Sequence, residues 1–237
     1  RDYKAKKRIP WTSIFMTIFE NNDIKLEKFI SGSLGNNSYL ISSKKDGNSI
    51  VIDVPDKPME LINKIPRNRL NKSENLEKIK ILITHGHYDH IEGLDIFGER
   101  LGLLNLYIGY VDANYLNYSG NVTRLRNQEY IENSIIKLKL FYTPGHTEGS
   151  VCYFLDLGHE KFLFSGDTLF PGGPGKTIDS RNFTKIFESI KNKLYLLPKE
   201  TIILPGHGES ITIEDSINEF NHFQYKNNIF GDISWKN

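Results

Sequence analysis

One cysteine in 237 residues excludes an internal disulfide, so no covalent staple holds this chain together. No stretch approaches the run of about 18 apolar residues that a membrane-spanning helix needs. Charge of one sign is missing too: 30 Lys and Arg stand against 29 Asp and Glu, for a formal net charge of +1. No global field therefore draws the protein to nucleic acid or to an anionic membrane. What these absences leave is ordinary globular usage, 38% hydrophobic and 25% charged. The length suits one large α/β domain over residues 1–237. The expectation is a cytoplasmic protein that acts on a small-molecule substrate, with neither nucleic acid nor membrane as partner. Composition gives no oligomeric state.

Near the start, Lys4, Lys6, Lys7 and Arg8 precede the fairly apolar Ile9 to Phe19 and imitate an export signal. Pro10, Thr12, Ser13 and Thr17 dilute that stretch, and no small-residue cleavage site follows, so it reads as a first strand or an ordered arm. The single thiol, Cys152, falls in Val151-Cys152-Tyr153-Phe154-Leu155, a buried strand by its pattern, and reads as a core group rather than a reactive one.

What is present is concentrated in Thr84-His85-Gly86-His87-Tyr88-Asp89-His90. Three imidazoles and a carboxylate crowd into one short segment, directly after the isoleucine-rich, strand-like Ile79 to Thr84. Imidazole with carboxylate suits a hard or borderline cation, and the end of a strand is where open α/β layers place ligands. Three further residues share that local context. His146 follows the strand-like Ile135 to Phe141 and a Pro-Gly turn, Asp167 follows Phe162-Leu163-Phe164-Ser165-Gly166, and His207 follows Ile202-Ile203-Leu204-Pro205-Gly206. Any one of these alone is an ordinary turn with a polar residue. Together with the first cluster they make seven candidate metal ligands on the ends of four strands.

The order His-x-His-x-Asp-His, then His, then Asp, then His resembles the metallo-β-lactamase superfamily, from the hairpin near residue 36 to His207. Thr-His-Gly-His-Tyr-Asp-His and Gly-Asp-Thr-Leu-Phe are similar to the glyoxalase II-like branch. The resemblance implies a four-layer αββα sandwich. It also implies two metals, one on His85, His87 and His146 and the other on Asp89, His90 and His207, with Asp167 between them. Zinc, two per chain, is the expected cofactor; the same ligands accept iron or manganese. Two such cations about 3.5–4 Å apart can share a water and hold it as hydroxide near neutral pH. The implied function is a metallo-hydrolase acting on a thioester in the manner of hydroxyacylglutathione hydrolases. Asp89 is the catalytic candidate, orienting the hydroxide and carrying a proton to the departing atom. Lactones and phosphodiesters are the alternative substrates, and a persulfide dioxygenase with one iron on His85, His146 and Asp167 is the alternative chemistry. About thirty residues follow His207, and Gly-His-Gly-Glu replaces the branch's usual Gly-His-Glu-Tyr; both depart from enzymes that grip glutathione with a C-terminal helical region.

Around the ligands the pattern predicts short strands over residues 13–54 and a strand at Ile50 to Val54. Helices are expected at Lys57 to Arg67, Gly93 to Leu104, Asn182 to Leu196 and Glu214 to Tyr225, and a strand at Leu106 to Gly109. Thr84, Thr143 and Ser165 adjoin ligands and are candidates to orient them. Asp112 to Asn133, with Tyr115, Tyr118, Arg124, Arg126 and Tyr130, reads either as a lid whose arginines meet a substrate carboxylate or as a solvated connector. The loop 171–177 ends in Gly-Lys-Thr but lacks the upstream glycine of a nucleotide-binding loop, whose position is Phe170. It is expected to present backbone N–H groups or Lys176 to an anionic substrate.

Overall fold

The computed structural model describes residues 14–66, 78–102, 105–226 and 228–236. The basic arm before residue 14 and the expected helix ends at 67 and 103–104 lie outside the described residues. Strands β1 (Ile14–Glu20), β2 (Ile24–Ser31), β3 (Asn36–Ser43), β4 (Ser49–Ile52), β5 (Ile79–Leu82), β6 (Asn105–Gly109) and β7 (Val122–Leu125) form one sheet in sequence order. Pairing is antiparallel from β1 to β4 and parallel from β4 to β7. The second sheet runs β15-β14-β11-β10-β9-β8, from β8 (Tyr130–Asn133), β9 (Ile136–Tyr142), β10 (Val151–Asp156), β11 (Lys161–Gly166), β14 (Ile202–Pro205) and β15 (Ile211–Thr212). A two-residue hairpin, β12 (Leu169–Phe170) with β13 (Gly173–Pro174), stands apart.

Alternation along the strands decides the layers. In β3, Tyr39 and Ile41 face the second sheet while Leu40 faces outward; in β4, Ile50 and Ile52 face inward and Val51 outward. The second sheet mirrors this: Val151, Tyr153 and Leu155 of β10 fill the space between sheets, and Cys152 and Phe154 face away. A strand with both faces buried must be apolar on both, which is why these segments lack a polar alternation. The outer face of the first sheet is covered by helices α1 (Met59–Lys64) and α3 (Leu94–Leu101) through Leu61, Ile62, Leu94, Phe97 and Leu101. Helices α4 (Ser180–Asn192) and α5 (Ile213–Phe220) cover the second through Phe183, Ile186, Ile190 and Ile213, with Trp235 beside them. Three apolar cores separate four layers, the expected αββα sandwich. Among the described residues no helix is long and apolar enough to cross a membrane.

Several expected boundaries move. The helix from Asn182 starts earlier, at Ser180, because Asp179 caps it by accepting from Asn182 N at 2.8 Å, and it gives way to a 3-10 turn at Leu194–Leu196. The last helix ends at Phe220 rather than Tyr225; its chain then turns back, and Trp235 N reaches Gly172 O at 2.8 Å. Residues 112–133 meet neither reading in full: Tyr115 stands beside His87 and His146, but the segment also supplies two strands. They carry a 3-10 turn (Asp112–Tyr115), the edge strand β7 of one sheet and the edge strand β8 of the other, so this segment is the crossing between sheets.

Candidate metal centre

The seven residues read from the sequence converge where the strands of the two sheets end. His85 and His87 lie in the turn after β5, Asp89 and His90 on a single helical turn, α2 (Tyr88–Ile91). His146 lies between β9 and β10, Asp167 after β11 and His207 after β14. The ends are drawn together across the sheets, where Val151 N donates to Thr84 O (2.9 Å) and Asn37 N to Gly206 O (2.7 Å), and within the second sheet, where Gly206 N donates to Gly166 O (2.9 Å). Gly206 is there for closeness, since a Cβ would fall 2.3 Å from Asp167 Oδ1 and 2.6 Å from His90 Cε1. Gly166 adopts φ +49°, and a Cβ on it would meet Thr84 Oγ1 at 2.5 Å.

Two triads that share no residue result, and a third group, His85, His90 and Asp167, straddles them. Each offers three donor atoms within 4.8 Å of one another: His85, His87 and His146 in the first triad, Asp89, His90 and His207 in the second. Within the first, His87 Nδ1 lies 3.0 Å from His85 Nε2 and 2.9 Å from His146 Nε2. In the second, Asp89 Oδ2 is 3.3 Å from His207 Nε2 and 3.8 Å from His90 Nε2. Asp167 reaches both, with Oδ2 3.8 Å from His146 Nε2 and 3.6 Å from His207 Nε2, and Oδ1 3.4 Å from His90 Nε2.

Groups behind the triads aim the rings. Thr84 Oγ1 donates to Asp53 Oδ2 (2.7 Å) and so accepts from His85 Nδ1 at 3.1 Å, leaving His85 Nε2 as a lone pair turned inward. His90 Nδ1–H donates to the same Asp53 Oδ2 at 2.8 Å, and His146 Nδ1–H to the carbonyl oxygen of Lys176 at 2.8 Å. Asp53 also accepts from Thr84 N at 2.7 Å. It holds this place at φ 57°, a backbone cost on the order of 1 kcal/mol that its three hydrogen bonds offset. Asn36 Nδ2 donates to Asp89 Oδ2 at 2.9 Å and sits 3.4 Å from His207 Nε2.

For His85 and His87 the electrostatics agree with that arrangement. Burial first, then the neighbouring imidazoles, holds His85 well below the ordinary histidine range; burial and His146 lower His87. Neutral rings with free lone pairs are what a cation needs. Burial also opposes charge on His90, yet Asp53 and Asp167 outweigh it and raise that ring well above its usual value. Asp89 stays below the usual carboxylate range because His207 and His90 outweigh burial, and Asp167 falls to about 2 because His90 outweighs its burial. Only two buried side-chain atoms of the cluster, His90 Nε2 and Asp167 Oδ1, have no hydrogen-bond partner among the described residues, and they face each other. A divalent cation between them would satisfy both. Five imidazoles and two carboxylates form a borderline nitrogen–oxygen donor set, so the residues fit divalent cations.

Of the three expected supports only Thr84 touches a ligand. Thr143 Oγ1 pairs with Thr168 Oγ1 (3.0 Å) and Cys152 Sγ (3.3 Å), and Ser165 Oγ donates to Leu169 O (2.7 Å); both face the second sheet's own layer. Loop 171–177 offers the site a carbonyl, that of Lys176, rather than the expected N–H groups. Asp53, Asn36 and Asp112 were missed. Asp53 had a signal, an acidic residue closing a strand like the ligands themselves. Asp112, wholly buried, accepts from Gly86 N (2.8 Å), Gly149 N (2.8 Å) and Thr147 Oγ1 (2.7 Å), and nothing local marks it.

An αββα sandwich with a histidine–aspartate cluster at its strand ends defines a class of metalloproteins. The model of the metallo-beta-lactamase superfamily matches residues 32–207, from the β2–β3 turn to the last member of the cluster, and the chain belongs to that superfamily. It is 30% identical to a probable metallo-hydrolase of Streptococcus pyogenes serotype M6, over 92% of this chain and 95% of that one. It is 28% identical to a probable hydroxyacylglutathione hydrolase of Schizosaccharomyces pombe, over 74% of this chain but only 65% of that protein. Among solved structures, TTHA1623 in a di-iron-bound form superposes with a TM-score of 0.58 at 27% identity, covering 78% of this chain and 93% of the other.

Proposed function

We propose that this protein is a dinuclear metal-dependent hydrolase that cleaves thioesters. The observation that carries the reading is the pair of triads joined through Asp167, with its two buried unpartnered atoms facing each other. His85, His87 and His146 would hold one cation and Asp89, His90 and His207 the other, with Asp167 reaching both. Zinc is the first choice for an imidazole-rich site, and the di-iron form of the related structure keeps iron as the second. The similarity to a hydroxyacylglutathione hydrolase supports a thioester as substrate.

Bound divalent cations supply Lewis acidity, polarising a carbonyl and bringing the pKa of water to about 7. The chain does the rest. Asn36 pins one oxygen of Asp89, fixing the carboxylate that takes the proton of the attacking water and hands it to the departing sulfur. Asp53, Thr84 and the Lys176 carbonyl hold His85, His90 and His146 in single tautomers, so no reorganisation precedes the step. The sheet ends packed over His85 and His90, both buried, keep bulk water from that side.

Elemental analysis of the purified protein, paired with an assay on S-lactoylglutathione, simple thioesters, lactones and phosphodiesters, tests this. Two zinc ions per chain with thioester turnover supports it. About one iron per chain, oxygen uptake with a persulfide and no hydrolysis overturns it. Turnover confined to lactones or phosphodiesters keeps the metal centre and rejects the substrate.

A further inference from the structure

Beside the first triad a cleft of about 380 Å³ opens, with His87 and His146 at its floor. Its walls are unusual in what they leave in water. Tyr88 is 70% exposed, Tyr115 68% and Ile178 75%, and Val111 joins them. Large apolar side chains left exposed around a concave site mark a surface kept for a ligand. No Lys or Arg is among the described residues of the wall. Its two carboxylates are already spoken for: Asp112 is buried under three donors, and Glu148 is paired with Lys185. The arginines expected to meet a substrate carboxylate are engaged elsewhere, Arg126 over the Tyr110 ring at 3.3 Å and Arg124 on Asn114 at 2.9 Å. What the wall offers a ligand beyond apolar surface is neutral, the side-chain amide of Asn182 and the phenol of Tyr115.

We propose that this cleft binds the arm of the thioester next to the scissile carbonyl, and that it selects an uncharged, largely apolar arm bearing an amide over one carrying carboxylates. This rests on the thioester reading above. A carboxylate that entered along the wall would give up its hydration with no Lys or Arg there to replace it, Lys185 being held by Glu148, whereas an amide finds Asn182 and an alkyl chain finds Tyr88, Tyr115 and Ile178.

Three lactoyl thioesters differing only in the thiol separate the cases: glutathione with two carboxylates and an ammonium, N-acetylcysteamine with no charge, and thiocholine with a quaternary ammonium group that cannot attack the thioester. The metal-loaded protein is expected to turn over the N-acetylcysteamine ester with a kcat/KM about tenfold or more above that of the glutathione ester. Ile178→Lys should narrow that gap by lowering KM for the glutathione ester, with metal content unchanged. A glutathione ester used as well as, or better than, the uncharged one overturns the proposal. So does a thiocholine ester that outruns both, which would assign selection to the charge of Glu148. Failure of all three esters with two metals bound sinks the thioester reading itself, and this inference with it.

Discussion

The two triads differ by one carboxylate in composition and far more in how they are held. The second hangs on the sheet framework. His90 is fully buried against Asp53 at the end of β4, and Asn36 at the start of β3 ties Asp89 beside His207. Further back, Asn37 and Lys28 both donate to Gly208 O, at 3.0 and 2.7 Å, and fix the turn that carries His207. The first triad is built from loops. His87 is exposed, His146 takes its orientation from a backbone carbonyl, and the carboxylate of Asp112 clamps the two loops together. Side chains on regular elements are placed more tightly than those on loops. The second triad is therefore the fixed half of the centre, and the first is the half that faces substrate.

If that asymmetry holds, substitutions should divide by triad. The largest effect belongs to Asp167→Ala, which touches both: metal content should fall from two toward less than one per chain, and hydrolysis should drop by roughly three orders of magnitude or more. Retention of two tightly held metals would refute the joining role. Next is Asp89→Ala, expected to cut kcat by about a hundredfold or more while leaving the fold and the first-triad metal in place. Full turnover in that variant would remove the proton-carrying role. Asp53→Ala strips the partner from buried His90 Nδ1, Thr84 N and Thr84 Oγ1 together. Denaturant unfolding should show a loss of about 3 kcal/mol, with the second-triad metal released first in chelator titration. Loss of the first-triad metal instead would reverse the comparison.

The same asymmetry explains what the sequence disclosed. All seven cluster residues were legible because each sits where a strand pattern breaks into a turn, a signal contained within about ten residues. The layers were expected from the resemblance those ligands carry, and the apolar residues on both faces of β4, β10 and β11 fit them. What holds the ligands was not legible, because the partners are far apart in the chain: Asp53 and His90 are separated by 37 residues, and Asn36 and His207 by 171. Asn36-Asn37 reads locally as a turn, and only the crossing from β3 to the end of β14 makes it part of the site. The segment 112–133 misled for a related reason. Its strands β7 and β8 are four residues each and sit at the edges of different sheets, and a parallel edge pairing such as β6 with β7 leaves no hairpin signature.

Two smaller effects sharpen the contrast. Asp112→Asn keeps the shape but turns one acceptor into a donor facing the N–H of Gly86 or Gly149, so the clamp between the two loops loosens. Metal affinity at the first triad should weaken about tenfold to a hundredfold in chelator competition, with the second-triad metal retained. A uniform loss at both would show that the loops are not independent of the framework. Ser165→Ala is the control and the smallest change. Its hydroxyl serves only the hairpin carbonyl of Leu169 and the adjacent backbone, although Ser165 stands two residues from Asp167 in sequence. About 1 kcal/mol of stability should be lost, with both metals still bound. A metal released by that substitution would mean that adjacency along the chain, rather than the path of hydrogen bonds, governs how this centre is held.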